Sequence, residues 1–183
     1  MNFLVCNFGS SRCTFRPDST WERHSSDFYP QDDVLRIAFS PVLWLRVGKA
    51  GKAVETRFAD RYRDGTGYGL LLYDAGLLSA GTPSGYAQAI VEDQTTYLPF
   101  EPQDRFGEFR ILKDGDELFR FAERQPEPLL RQAVVMASAR TYIRTGDRIL
   151  WELAPPRPAW SRGERVRLTA TLDGTPFLDF NIL

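Results

Sequence analysis

Alternation at every second residue, closed by Asp-Gly turns, is the feature that most constrains this chain. Phe109 and Ile111 alternate with charged residues, Asp114-Gly115 offers a turn, and Phe119 and Phe121 alternate again. Successive side chains of a strand point to opposite faces, and a type I′ turn with positive φ at both central residues matches the strand twist. Residues 108–122 therefore predict a β-hairpin. A second pair follows the same rule. Val166, Leu168, Ala170 and Leu172 point inward with Arg and Thr outward, Asp173-Gly174 turns the chain, and Phe177–Ile182 returns. Further strands are expected at 3–8, 34–39, 42–47, 68–74, 88–92 and 148–153. Pro41 has no N–H for a ladder, so it marks an edge, a bulge or a break between two of these runs.

Helical periodicity is scarcer. Val54, Phe58, Ala59 and Tyr62 share a spacing that suits a short helix over 53–64, with Gly65 as its C-cap. The one main helix is expected from about 127 to 144. Pro128 falls in its first turn, Leu130, Val134, Ala137 and Thr141 on one face, and Gly146 follows its end. Residues 9–33, rich in Ser, Asp and Pro, read as a surface loop that orders against a partner or stays mobile. Trp151–Trp160 carries Pro155, Pro156 and Pro158 and is stiff, serving as a recognition surface or as a rigid crossover capping the core.

At 183 residues and 43% hydrophobic, the chain suits one domain with a real core, residues 1–183. Its 23 Lys+Arg against 24 Asp+Glu leave no basic excess, which argues against nucleic acid as a partner. Arg157, Arg162, Arg165 and Arg167 read as a solvated strand face. Cys6 and Cys13 are too few for a disulfide framework, and with the single His24 too few for a closed zinc site. A reducing compartment is expected. The first residues lack the pattern of a signal peptide, and no apolar run is long enough to span a membrane, so the expected location is cytoplasmic.

No motif assembles a reaction centre. Asp64-Gly-Thr-Gly-Tyr-Gly69 resembles a phosphate loop, but a dinucleotide fingerprint needs a strand before it and a helix after it, and here the order is reversed. His24 lies in the polar loop with Glu22 and Asp27 as candidate orienting partners, and reads as an exposed loop residue rather than a general base. Cys6 sits in a strand pattern and reads as a small buried hydrophobe. Glu92-Asp93 are adjacent, so in a strand they would point to opposite faces rather than converge on a cation.

The order of several segments does resemble a known family. Leu45-Arg-Val-Gly-Lys-Ala-Gly-Lys52, Phe58-Ala-Asp-Arg-Tyr62, Gly67-Tyr-Gly69 entering a strand, Thr145-Gly-Asp-Arg-Ile-Leu150, Arg162-Gly-Glu-Arg-Val166 and Leu178-Asp-Phe-Asn-Ile182 together resemble the fumarylacetoacetate hydrolase family over residues 34–183. Residues 1–33 are then an added strand and polar loop. The resemblance implies an α+β, β-rich fold, a mixed β-roll or β-sandwich barrel with one main helix, and a homodimer. It also implies hydrolysis of a carbon–carbon bond in acylpyruvate-like diketo acids, or a related decarboxylation or isomerisation. A divalent cation, usually Mg²⁺, is held in that family by a Glu-x-Glu pair and an Asp. A hard cation needs such anionic oxygens and then polarises the keto-acid oxygens.

Laid on that pattern, the positions expected to carry chemistry are changed. Ser40-Pro41-Val42 stands where Glu-x-Glu falls, Leu71 near the Asp, Gln88 for the catalytic Lys, and Trp151–Ala154 for a Thr-Gly-Thr-Pro turn. The expectation is a pseudoenzyme with no catalytic residue, no metal and no cofactor. Its remnant cleft of Ser40, Val42, Leu71, Gln88 and Trp151 would hold a small ligand or be filled by side chains, and the protein would bind a small molecule or another protein. The alternative is a metal-dependent hydrolase or lyase with a relocated site, Mg²⁺ being held by Asp74, Glu92 or Asp93, and Glu152. A third reading is a structural subunit that meets a partner through loop 9–33 and segment 154–160.

Overall fold

The computed structural model describes residues 1–183. Twelve strands follow the chain as β1 (Asn2–Cys6), β2 (Cys13–Pro17), β3 (Trp21–Glu22), β4 (Arg36–Val47), β5 (Arg63–Asp74), β6 (Thr96–Tyr97), β7 (Phe109–Lys113), β8 (Asp116–Phe121), β9 (Arg148–Glu152), β10 (Arg157–Ser161), β11 (Val166–Leu172) and β12 (Thr175–Ile182). Three α-helices interrupt them: α1 (Ala75–Ser79), α2 (Pro83–Ala89) and α3 (Glu127–Arg140). Short 3-10 turns span Asp18–Thr20 and Thr56–Tyr62. An eight-stranded mixed sheet runs β2-β1-β9-β4-β5-β6-β3, with β10 also on β4, and a four-stranded sheet runs β12-β11-β7-β8. The result is the β-rich α+β roll that the resemblance implied.

The alternating segments fold as their period dictates. In both Asp-Gly turns each residue has positive φ, Asp114 at 52° and Gly115 at 95°, Asp173 at 50° and Gly174 at 78°. Between the sheets lies the main core, where Phe39, Leu43 and Leu70 of the large sheet meet Phe109, Leu168 and Phe180 of the small one. α3 packs onto β1 and β9 at one side of this core, burying Leu130, Ala133, Val134 and Ala137.

Several boundaries differ from expectation, each for a physical reason. The runs on either side of Pro41 form one strand, β4. Its neighbour on one side changes there from β10, which pairs residues 36–39, to β9, which pairs 42–46. The Pro41 carbonyl faces that junction, where it accepts from Leu153 N at 2.8 Å, so the missing N–H interrupts no ladder. Gly65 does not cap a helix but lies inside β5, and the preceding turn is 3-10 and ends at Tyr62. The glycines of β5 instead admit close neighbours: a Cβ on Gly69 would fall 2.5 Å from Tyr97 O, and one on Gly67 would fall 2.8 Å from the Trp44 ring.

The strand expected at 88–92 is absent. Gln88 belongs to α2, which Thr82 caps through Gly85 N, with Pro83 in the first turn. α3 stops at Arg140, with Thr141 already extended. Residues 9–33 are not simply a surface loop. They carry β2, a 3-10 turn and β3, and they bury Arg16, Thr20, Glu22 and Phe28. The Pro-rich segment likewise delivers a strand, β10, to β4.

Candidate functional site

The strand register decides where the expected site residues point. Ser40 pairs with Leu71, and Val42 pairs with Gly69 on one side and Glu152 on the other. Cross-strand partners share a face, and so do residues two apart along a strand. Ser40, Val42, Trp44, Leu71, Tyr73, Leu150 and Glu152 therefore lie on one face of the large sheet, the face turned away from the main core. A second core covers it, with Phe3, Val5, Ala89, Ile90 and Leu98 buried against Val42, Trp44, Leu71 and Leu150. Leu77, Leu78 and Tyr86 of α1 and α2 close over the top.

Of the five residues expected to form a cleft, the register brings together three. Ser40, Val42 and Leu71 are each 0% exposed. Gln88 is exposed on α2, and Trp151 packs on the opposite face, against the main core. A strand position for Gln88 was needed to aim it at Leu71, and the helix removes it.

Polar chemistry on this face centres on residues that sequence reasoning missed or placed elsewhere. Arg16, 1% exposed, donates to Leu72 O at 2.8 Å, Thr95 O at 3.2 Å and Thr95 Oγ1 at 3.0 Å. Its guanidinium lies 4.3 Å from the centroid of the Tyr73 ring. Tyr73 Oη donates to Glu152 Oε1 at 2.6 Å, and the other carboxylate oxygen accepts from Phe8 N at 2.8 Å. Burial pushes the Tyr73 phenol well up from its ordinary value, Arg16 opposing and Glu152 assisting, so Tyr73 is a neutral donor to Glu152. Nearby, Asn7 donates to Tyr86 Oη at 2.8 Å and accepts from Thr14 Oγ1 at 2.9 Å.

The other end of the face also holds a buried guanidinium. Arg148 lies between Trp21 and Trp44, 4.3 Å from each ring centroid, and donates to Phe100 O at 2.9 Å. Burial, with Arg46 and Arg23 adding, lowers it to about 10, so it is still protonated at neutral pH. Both buried cations on this face meet carbonyls, hydroxyls and aromatic rings, while the Nε of each has no hydrogen-bond partner. Arg16 escaped sequence reasoning because Cys13–Pro17 is too short and polar to show a period. No signal in its own segment marks it.

The remaining candidates separate. Asp33, Asp74, Gln88, Glu92 and Asp93 line a recess of about 380 Å³ beside α1, and Glu152 is not part of its lining. Asp74 is committed there as the cap of α1, accepting from Gly76 N and Leu77 N. Burial first, then the Asp74 charge, pushes Glu92 up to about 7. These acids line the recess without converging, for no group of three or more His, Cys, Asp or Glu side chains is placed to hold a metal ion. His24 is exposed, and its backbone N–H donates to Glu22 Oε1 at 2.6 Å.

No family sequence model matches the chain, and no curated protein sequence is significantly similar to it. Solved structures are. A protein assigned to the fumarylacetoacetate hydrolase family from Yersinia pestis CO92 superposes at TM-score 0.76 with 18% identity, over 100% of this chain and 92% of its own. The fold is that of the fumarylacetoacetate hydrolase family. Fumarylpyruvate hydrolase from Pseudomonas aeruginosa, solved with Mn²⁺ and pyruvate, superposes on this fumarylacetoacetate hydrolase fold at 0.78 with 16% identity, covering 100% of this chain and 88% of its own. 5-Carboxymethyl-2-hydroxymuconate delta-isomerase from Mycobacterium smegmatis gives 0.78 and 16%, covering 100% and 78%.

The cation that this fold family implies does not fit the residues on this face. Val42 and Leu71 offer only hydrocarbon, and Ser40 Oγ is spent donating to Ala154 O at 2.8 Å. Glu152 has both oxygens engaged, and two guanidinium groups share the face. A hard divalent ion needs several anionic oxygens, and fixed positive charges oppose it.

Proposed function

We propose that the protein is a non-catalytic member of this structural class, a pseudoenzyme that works by binding rather than by turnover. One observation carries the reading: Arg16 brings its own positive charge to the face where the resemblance places the family's cation ligands, while Ser40, Val42 and Leu71 supply no anionic oxygen. Losing one carboxylate weakens a cation site, whereas losing three and gaining a guanidinium reverses its electrostatics. Binding then falls to the outer surface. A recess of about 610 Å³ between Pro30–Val34 and Trp160–Arg165, where the once-polar loop meets the end of the Pro-rich segment, is of ligand size. A homodimer is the expected state by analogy with the fold, and light scattering measures it.

The test is thermal unfolding of the purified chain with and without millimolar Mg²⁺, Mn²⁺ or Ca²⁺, alongside an assay for acylpyruvate cleavage. A ligand at a hundred times its dissociation constant adds about 2.7 kcal/mol, so a working site raises the melting temperature visibly. The proposal expects no rise and no turnover. A rise with any of these cations, or measurable cleavage, overturns it.

The recess beside α1 favours one second reading, an enzyme with a relocated site. A carboxyl raised to about 7 exchanges its proton near neutral pH, as a general acid or base must. On that reading acylpyruvate turnover is present and E92Q abolishes it. Glu152 takes no part, being bound on the covered face.

A further inference from the structure

We propose that Cys6 and Cys13 form a reversible intrachain disulfide that locks the β1–β2 hairpin. The two cysteines close the hairpin register as direct antiparallel partners, Cys6 on β1 facing Cys13 on β2. Their Sγ atoms lie 2.7 Å apart, so about 0.7 Å of approach completes a bond of ordinary length. The intervening Asn7–Arg12 turn holds this geometry without help from the sulfurs, since Ser10 N donates to Asn7 O and Arg12 N to Ser10 Oγ. Side-chain spacing in the sequence hid the pair, because only the hairpin sets the two residues side by side.

The two thiols differ in access, which orders the chemistry. Cys6 is 1% exposed and donates weakly to Ala133 O at 3.8 Å. Its hydrogen bond with Cys13, then burial, hold its proton on. Cys13 is half-buried and lines a recess of about 160 Å³ with Ser11, Arg12 and Arg140. Cys13 is therefore the first to react, with a low-molecular-weight disulfide as oxidant. The Cys13 thiolate attacks one sulfur of that disulfide, forming a mixed disulfide and expelling one thiolate. Cys6 Sγ then gives up its proton and attacks Cys13 Sγ, forming the Cys6–Cys13 bond and expelling the second thiolate. The two protons of the cysteines end on the two thiols released, and the oxidant takes the two electrons. Arg12 and Arg140 favour an oxidant that carries carboxylates, such as oxidised glutathione.

The lock acts on an exposed margin of the fold. β2 pairs only with β1 and otherwise forms a free edge of the large sheet. Three residues beyond Cys13, the same strand carries Arg16 into the covered face. The inference does not depend on whether that face is catalytic.

The full chain is incubated with oxidised glutathione, quenched with an alkylating reagent, digested without reduction and analysed by mass spectrometry. The expected result is a Cys6–Cys13 linked peptide from chains that no disulfide joins to one another, two hydrogen masses lost, no retained glutathione, and full reversal by dithiothreitol. The melting temperature of the oxidised chain should rise by a few degrees. In C6S the mixed disulfide persists on Cys13 as one glutathione adduct, whereas C13S stays largely unmodified. Persistent glutathione on the wild-type chain, a disulfide between two chains, or unchanged free thiols overturns the proposal without recourse to either variant.

Discussion

Arg16 reaches its place through a long stem and a planar head whose donors point in several directions at once. R16M keeps most of the stem and removes every donor, leaving Leu72 O without its 2.8 Å partner inside the sheet. A buried acceptor so orphaned costs about 2 kcal/mol, and R16K recovers little because one ammonium cannot span Leu72 and Thr95 together. Urea unfolding of the three proteins measures the order wild type, R16K, R16M. Glu92 gives a residue-scale prediction of the opposite kind. Its carboxyl is raised from 4.5 to about 7 by burial and Asp74, so the folded chain holds this proton more tightly than the unfolded chain. Stability from this group is complete below pH 4.5 and is lost as pH rises through about 7. Melting temperatures taken across that window should fall in wild type and fall less in E92Q.

At the scale of elements, Gly69 shows what β5 requires. G69A sets a methyl group against Tyr97 O at 2.5 Å, and backbone cannot rotate away as a side chain can. β5 and β6 must part, at a cost of about 1–3 kcal/mol, whereas G9A, with nothing within 4 Å, loses only the ease of a positive φ of 71°. Paired thermal melts of the two variants test the contrast. The elements that were legible in the sequence are those whose periodicity is local. Phe109 to Phe121 and Val166 to Ile182 announce their hairpins because the alternation and the turn lie in one short window. β2 and β3 were not legible, for Cys13–Pro17 and Trp21–Glu22 are strands only because β1 and β6 present edges to them. The helix at Pro83–Ala89 was likewise obscured, its apolar face being Tyr86 and Ala89 with little between. The site followed the same divide. Register places Ser40, Val42 and Leu71 on one face, but Arg16 arrives from a segment with no pattern, Gln88 leaves with its helix, and Trp151 turns to the opposite face.

For the whole molecule, the two sheets share one core of 34 buried residues, with α3 at its side. Tyr97 of the large sheet stacks on Phe180 of the small one with ring centroids 3.8 Å apart, and Tyr68 on Phe109 at 4.7 Å. Neither sheet can separate without exposing the other, so unfolding is expected in a single transition. All 4 Trp residues lie on strands of the large sheet, which makes their fluorescence a reporter for that sheet. F180A, a change in the small sheet, should cost about 3–5 kcal/mol and shift the fluorescence and circular dichroism transitions together. Two separated transitions would contradict the shared core.

The neighbourhood of Leu71 also bears on what a carboxylate at that position would meet. Leu71 pairs with Thr96, whose hydroxyl lies 3.4 Å from an Arg16 nitrogen. An acid introduced at position 71 would thus meet a resident guanidinium before any ion from solution, and the two would neutralise one another. A cation site at this position therefore requires evicting the arginine first, a step that weakens the sheet before it offers any reward; if the protein is the non-catalytic binder proposed above, that state is held by a one-way latch.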